Sequence, residues 1–276
     1  MNDYIQIYHH HIPKTGGKYI SNNLYESGIS NIQLEGYQIQ TYIVHPSITI
    51  DYVDPDDFLN ADYICGHFGS QPQQVSGNIK GFTTIRHPID RVVSHFAMIY
   101  FPIKLKSVME TFDHWLKDDE KDFIVKDNLQ ARFLTSKISN DFVEQHDFIR
   151  KKVGECRFCY KHTCWCTSMS REDAKIIWRN GFGIEDAPYS FESAKSVLNA
   201  MPVKNRMENM DEFIVDLYTF VNDSFKSNLV FKDIKYPNKE TSKLSKYVKD
   251  NLTSDQRYKI LELNQVDLGL WENIIY

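Results

Sequence analysis

Apolar and polar positions in the first hundred residues switch repeatedly between a period of two and a helical period. From Tyr4 to Ile12, Ile5 and Ile7 alternate with Tyr4, Gln6 and Tyr8, which predicts a strand. Pro13 to Gly17 breaks the pattern, and Tyr19 to Ser27 reads as a helix closed by Gly28. Tyr63-Ile64-Cys65 is a short apolar run stopped by Gly66. Gly81 to Arg86 is rich in β-branched residues and predicts a third strand. Pro88 stands where a helix begins without losing a needed N–H, and Ile89, Val92, Val93, Phe96 and Tyr100 follow at helical spacing. Strand–turn–helix alternation predicts an α/β fold, a P-loop-like parallel sheet flanked by helices.

The middle of the chain, about 104 to 200, reads mostly helical, with an irregular insertion at about 150–170. Ser190 is a cap for a helix running to Ala200, and Asp211 to Phe225 is another helix. Thr253 with Gln256 forms a capping box for a helix through Asn264. No repeat, low-complexity tract or Pro/Gly/Ser-rich linker divides the 276 residues, so one domain is expected.

Composition narrows the classes. A formal net charge of −5 argues against bulk nucleic-acid binding, which needs a basic surface, yet leaves room for a small basic pocket. No apolar run reaches the roughly 18 residues of a membrane span, and Met1-Asn2-Asp3-Tyr4 starts no secretory signal. A soluble, cytoplasmic chain is the expectation.

Four of the five cysteines, Cys156, Cys159, Cys164 and Cys166, fall within eleven residues. Four thiolates with a Cys-x2-Cys turn suit a structural zinc, and His162 is a substitute for one of them. Disulfides pairing Cys156 or Cys159 with Cys164 or Cys166 are the rival, followed by free thiols.

Two stretches carry candidate chemistry. In His11-Ile12-Pro13-Lys14-Thr15-Gly16-Gly17-Lys18 a strand runs through a glycine turn into a helix, which aims backbone N–H groups at an anion. Lys14 adds a mobile positive charge. This is not a Walker A loop, because Ile12 holds the first glycine position and Tyr19 the place of the Mg²⁺-binding hydroxyl. In the second stretch, Arg86 ends a strand and Ser94 lies two turns into the following helix. Arg91 and Ser94 share a helix face away from the apolar one, suited to a second phosphate. The alternative has Arg86 and Arg91 solvated or paired with Asp90.

Together, Pro13-Lys14-Thr15-Gly16-Gly17 and Ile85-Arg86-x-Pro88-x-x-Arg91-x-x-Ser94 resemble the sulfotransferase superfamily. The likeness is to the branch of heparan sulfate 2-O-sulfotransferase and its bacterial and viral relatives. The resemblance implies that 3′-phosphoadenosine 5′-phosphosulfate (PAPS) is the donor and adenosine 3′,5′-bisphosphate the product. Lys14, Thr15, Gly16 and Gly17 would then hold the phosphosulfate, with the charge of Lys18 standing in for the family's hydroxyl contacts. Arg86 and Ser94, eight residues apart as in the family, would hold the 3′-phosphate. Cys65-Gly66-His67 looks like the family's Gly-His element, and Asn128 to Leu134 like a helical signature of bacterial members. The segment from Asn238 to Ser242, with Lys239 and Thr241, looks like a loop that closes over the nucleotide. Asn264 and Asp267 fit the family's C-terminal part. The chain departs from the family at Lys18 and Tyr19, where Thr or Ser is usual.

On this reading Lys14 neutralises the leaving phosphate and His67 is the base that takes the acceptor's proton. The ends of the three strands, at Ile12, Gly66 and Arg86, are expected on one edge of the sheet, where open α/β sheets bind ligands. His9, His10 and His11 are consecutive in a strand, so they point to alternating faces and cannot converge on one ion. The expected acceptor is a hydroxyl-bearing sugar or small metabolite. The competing expectations are a Mg-dependent nucleotide kinase or NTPase with an atypical phosphate loop, and a nucleotide-binding module without turnover.

Overall fold

The structure, a computed structural model, describes residues 5–34, 37–38, 40–43, 59–70, 72–73, 76–118, 123–135, 190–233 and 239–274. At its centre is a five-stranded sheet of β1 (Gln6–His10), β4 (Thr41–Ile43), β5 (Tyr63–Gly66), β6 (Ile79–Ile85) and β7 (Val203–Arg206). The spatial order is β4-β5-β1-β6-β7, and every neighbouring pair is parallel. A separate two-stranded sheet pairs β2 (Gln33–Leu34) antiparallel with β3 (Tyr37–Gln38). The predicted α/β class is the observed one.

Register explains why the three predicted strand ends meet. Ile7 stands opposite Tyr63 on one side and Lys80 on the other, so β1 and β5 finish together at His10 and Gly66, and β6 runs two residues further, to Ile85. The strand boundaries differ from the sequence reading. β1 stops at His10, because Ile12 leaves the sheet to join a helical apolar cluster with Val92, Phe96 and Phe112. β6 begins two residues early, at Ile79, where Gln6 is its partner. Tyr4, the proposed start of the first strand, lies outside the described residues.

Helices cover both faces. α1 (Gly17–Glu26) and α7 (Met210–Phe225) bury Ile20, Leu24, Phe213 and Leu217 against Ile7 and Phe82 of the sheet. The other apolar cluster is built by α2 (Pro88–Tyr100), α3 (Leu105–Lys117), α4 (Phe123–Lys126), α5 (Leu129–Thr135) and α6 (Phe191–Ala200). It is completed by α8 (Lys239–Asp250), α9 (Ser254–Leu263) and α10 (Gln265–Asn273). Pro88 takes the first position of α2 as predicted. Ser190 caps α6 by accepting from the Ser193 amide at 3.1 Å, and Thr253 forms the predicted capping box with Gln256. Among the described residues no helix is long and apolar enough to cross a membrane.

One reading changes. The segment taken as a closing loop is helical from Lys239 onward, the first turn of α8, and Asn238 lies outside the described residues. The cysteines at 156, 159, 164 and 166 also lie outside them.

Candidate functional site

A cleft of about 800 Å³ opens at the edge where β1, β5 and β6 end. Its floor begins with the turn after β1. Lys14 adopts a left-handed backbone, φ 69°, a conformation that a lysine occupies only against a steric cost. Gly16 is left-handed too, φ 95°, and forms the N-cap of α1 with no side chain bonded to the first turn. Gly17 is required for a different reason: a Cβ there would sit 2.0 Å from the His11 ring. The turn therefore brings backbone amides, the Lys14 ammonium and the His11 imidazole to one place.

Thr15 does not join them. Its side chain is buried, and its hydroxyl donates to the Ile12 carbonyl at 2.9 Å. The Thr84 hydroxyl in turn donates to the Thr15 carbonyl at 2.6 Å. Thr15 thus braces the turn from below, leaving Lys14, Gly16, Gly17 and exposed Lys18 to line the cleft. Tyr19 lines it as well and donates from its hydroxyl to Asp233 at 2.9 Å. Burial and that carboxylate push the Tyr19 phenol up to about 12.

Arg86 follows β6 and is clamped at its backbone. Its amide donates to the Gln130 side chain at 2.7 Å, and the Gln130 amide donates back to its carbonyl at 2.9 Å. The guanidinium Nη1 donates to the Lys14 carbonyl at 3.2 Å, which ties the two predicted motifs together. Lys14 is half-buried, and burial, Arg86 and Lys18 hold its ammonium down to about 8. Among the described residues Lys14, Lys18 and Arg86 line the cleft without an ion pair.

Ser94 lines the cleft from α2, but Arg91 does not share its setting. Arg91 is fully buried, with Nη2 donating to Asn264 Oδ1 at 3.0 Å and Nε 3.8 Å from Asp267 Oδ2. The expectation of a solvent-facing Arg91 fails because Asn264 and Asp267, at the start of α10, meet its guanidinium. The alternative pairing with Asp90 fails for Arg91 as well, since Asp90 pairs with Lys249 at 2.5 Å.

Asn264 and Asp267 explain why α5 starts where it does. Asp267 accepts from the Gln130 and Ala131 amides at 3.1 and 2.8 Å, and Asn264 accepts from the Asn128 amide at 3.1 Å. Asn128 returns the contact, accepting from the Val266 and Asp267 amides at 2.9 and 3.0 Å. This reciprocal cap fixes Gln130, and Gln130 fixes Arg86.

His67 follows β5 and is buried in the cleft floor. The His67 and His11 rings meet edge to face with centroids 4.5 Å apart. Burial, then repulsion from His95, His9 and Lys14, pushes His67 down to about 3, so it is neutral near pH 7. The histidine run alternates as predicted. His9 stacks on His11 at 5.2 Å, while His10 turns the other way to Phe133, its Nε2 3.0 Å from the carbonyl oxygen. Among the described residues no group of three or more His, Cys, Asp or Glu is arranged to hold a metal.

The remaining wall is α8, which lines the cleft with Thr241, Ser242, Ser245, Lys246 and Lys249. The backbone of Lys239 starts this helix, and its side chain lies outside the described residues. Lys246 pairs with Asp250 at 2.7 Å, so both wall lysines are neutralised. Sequence reasoning named Thr241 and Ser242, which line the cleft, but missed Ser245, Lys246 and Lys249 further along the same helix and the Gln130 clamp on Arg86. The spacing of Thr241, Ser242, Ser245 and Lys249 along a helix was the available signal. No protein-family model matches this chain, and no curated protein matches it.

Proposed function

We propose that the protein is a sulfotransferase that takes the sulfuryl group from PAPS and passes it to an acceptor hydroxyl. The observation that supports this reading is the convergence of Lys14, Arg86, Ser94 and His67 on one cleft, although they come from separate parts of the chain. A donor with two phosphate groups fits the chemistry of that cleft. Three cations without ion pairs line it, and α1 points an uncapped N-terminus into it.

PAPS supplies an activated sulfuryl group on a phosphate leaving group. The first amides of α1 and the Lys14 ammonium hold the phosphosulfate and neutralise the charge that builds on the bridging oxygen. Arg86 and Ser94 hold the 3′-phosphate, a guanidinium with a hydroxyl beside it. His67 accepts the acceptor's proton through a ring nitrogen lone pair. Its low basicity in the free protein comes first from burial, then from the neighbouring histidines, and last from Lys14. An anion bound to Lys14 offsets that last repulsion and so shifts His67 upward. The expected acceptor remains a sugar or small metabolite.

The experiment is transfer of label from PAPS carrying radioactive sulfur to a panel of sugar and small-metabolite hydroxyls. Labelled product is expected from the wild type, with turnover lowered about 100-fold in His67→Ala while bisphosphate affinity is kept. Tight bisphosphate binding without transfer to the panel or to water would instead support a nucleotide-binding module.

A further inference from the structure

His11 is a buried polar group in the cleft that the proposed reaction has not used. It follows β1, is only 4% exposed, and lines the cleft beside Lys14, Gly16 and Gly17. Its ring is held on three sides. It stacks on His9 with centroids 5.2 Å apart, and His9 stacks in turn on Phe82 at 4.6 Å. Its Cδ2–Nε2 edge lies over Gly17, the first residue of α1, where a Cβ would sit 2.3 Å from Nε2. The third side meets the His67 ring edge to face, with centroids 4.5 Å apart.

Hydrogen bonding separates the roles of the two rings. Nδ1 of His11 is buried without a hydrogen-bond partner among the described residues, and so are both nitrogens of His67. The rings therefore touch without sharing a proton. A buried N–H is rarely left without an acceptor, so the hydrogen of a neutral His11 belongs on Nε2, the nitrogen at the start of α1. No side chain caps that helix, so its first backbone amides stand beside the imidazole and the Lys14 ammonium. Donors of three kinds at one helix start fit a group that presents several oxygens.

Charge points the same way. Burial, then His67, Lys14 and His10, hold the His11 imidazole well below its ordinary range, so it is neutral near pH 7. A positive charge on His11, 4.5 Å from His67, would oppose the proton that His67 must take up. A neutral N–H donor does not.

We propose that His11 is a further catalytic residue, whose Nε2–H donates to an oxygen of the sulfuryl group and holds that group beside His67. The inference rests on the sulfotransferase reading. The sulfuryl group, not the 5′-phosphate, is assigned to His11 because the transferred group must also lie within reach of the acceptor at His67. In the step it serves, the acceptor O–H bond breaks and its proton goes to a ring nitrogen of His67. The acceptor oxygen bonds to sulfur, and the bond from sulfur to the bridging oxygen breaks with its electron pair left on the phosphate. His11 gives up no proton.

The test is calorimetric titration with PAPS, in the absence of acceptor, and with adenosine 3′,5′-bisphosphate. His11→Phe keeps a ring in the stack and removes the N–H, whereas His11→Gln keeps an N–H near the place of Nε2. His11→Phe should bind PAPS at least about tenfold more weakly, with bisphosphate affinity within about twofold of wild type, and His11→Gln should recover most of the loss. Equal losses for the two ligands would make His11 a support of the turn, and no loss for either would remove it from the site. Each of those results overturns the inference. Should His11→Phe not fold, nitrogen-15 spectra of the wild type decide, the His11 signals being assigned with His11→Gln. Hydrogen on Nε2 and a shift of that signal when PAPS replaces the bisphosphate are expected, and no shift counts against the proposal. A wild type that binds PAPS no more tightly than AMP sinks the functional reading and the inference with it. A wild type that binds PAPS and transfers its sulfuryl group, beside a His11→Phe variant of equal PAPS affinity, sinks the inference alone.

Discussion

The floor and the α8 wall of the cleft hold positive charge in opposite ways. On the floor, Lys14 and Arg86 are half-buried and without carboxylate partners among the described residues. They are fixed by backbone: a left-handed turn at Lys14, and the two Gln130 hydrogen bonds at Arg86. On the wall, Lys246 and Lys249 are exposed, and each is paired with an aspartate. An anion arriving at the floor displaces no ion-paired carboxylate among the described residues. At the wall it must displace Asp250 or Asp90. On the proposed function, the rigid, unpaired charge at the strand ends is the phosphate-binding surface and the paired charge its rim.

The floor's rigidity rests on the Arg91–Asp267–Asn264 junction behind it, and breaking that should have the largest effect. Arg91→Leu leaves Asp267 buried without its cation and is expected to lower the unfolding free energy by about 3–5 kcal/mol in urea titrations. A loss below about 1 kcal/mol would mean that the α5–α10 junction does not hold Gln130 and Arg86 in place.

Next in size is Arg86→Ala. It keeps the backbone clamp and removes only the guanidinium, so stability should be retained while bisphosphate affinity falls by about 2–4 kcal/mol. Unchanged affinity would mean that the floor charge has no phosphate to meet.

Acidity at Lys14 gives a smaller, graded effect. Its ammonium is held down to about 8, and an anion binds the protonated form better. Bisphosphate affinity should therefore be flat between about pH 7 and 8, where the phosphates are dianionic. Above that range the affinity should fall toward about tenfold per pH unit as the free protein loses that proton. Lys14→Arg should flatten the profile. A wild-type affinity that rises with pH would contradict the sign.

The wall should matter least. Lys249→Ala breaks an exposed ion pair and is expected to change stability by less than about 1 kcal/mol, with bisphosphate affinity little altered. A larger loss of affinity than in Arg86→Ala would reverse the contrast.

The floor was more legible in the sequence than its supports. Lys14, Gly16, Gly17, Arg86 and Ser94 stand beside strand ends that alternation, Pro13 and Pro88 make readable locally. The caps at Ser190 and Thr253 were readable too, because each partner lies three residues away. Arg91 was misplaced for the opposite reason. What buries it is Asp267, and no local pattern announces a partner so distant in the chain. Gln130 was invisible as a clamp on the same grounds. β7 escaped notice because its alternation is short: Val203 and Asn205 inward, Lys204 and Arg206 half-buried. Only the first turn of α8, Lys239 to Ser242, was read as a loop, on the resemblance; that turn is wholly polar, and the buried Leu244 and Val248 that make the helical period come after it.

The most direct test of the central claim is calorimetric titration of the wild type with adenosine 3′,5′-bisphosphate, AMP and ATP, each with and without Mg²⁺. The two proposed phosphate sites, on a cleft floor that carries its own cations, predict that the bisphosphate binds most tightly and that Mg²⁺ adds nothing. Equal or tighter binding of ATP that depends on Mg²⁺ would contradict the account and favour a nucleotide kinase or NTPase.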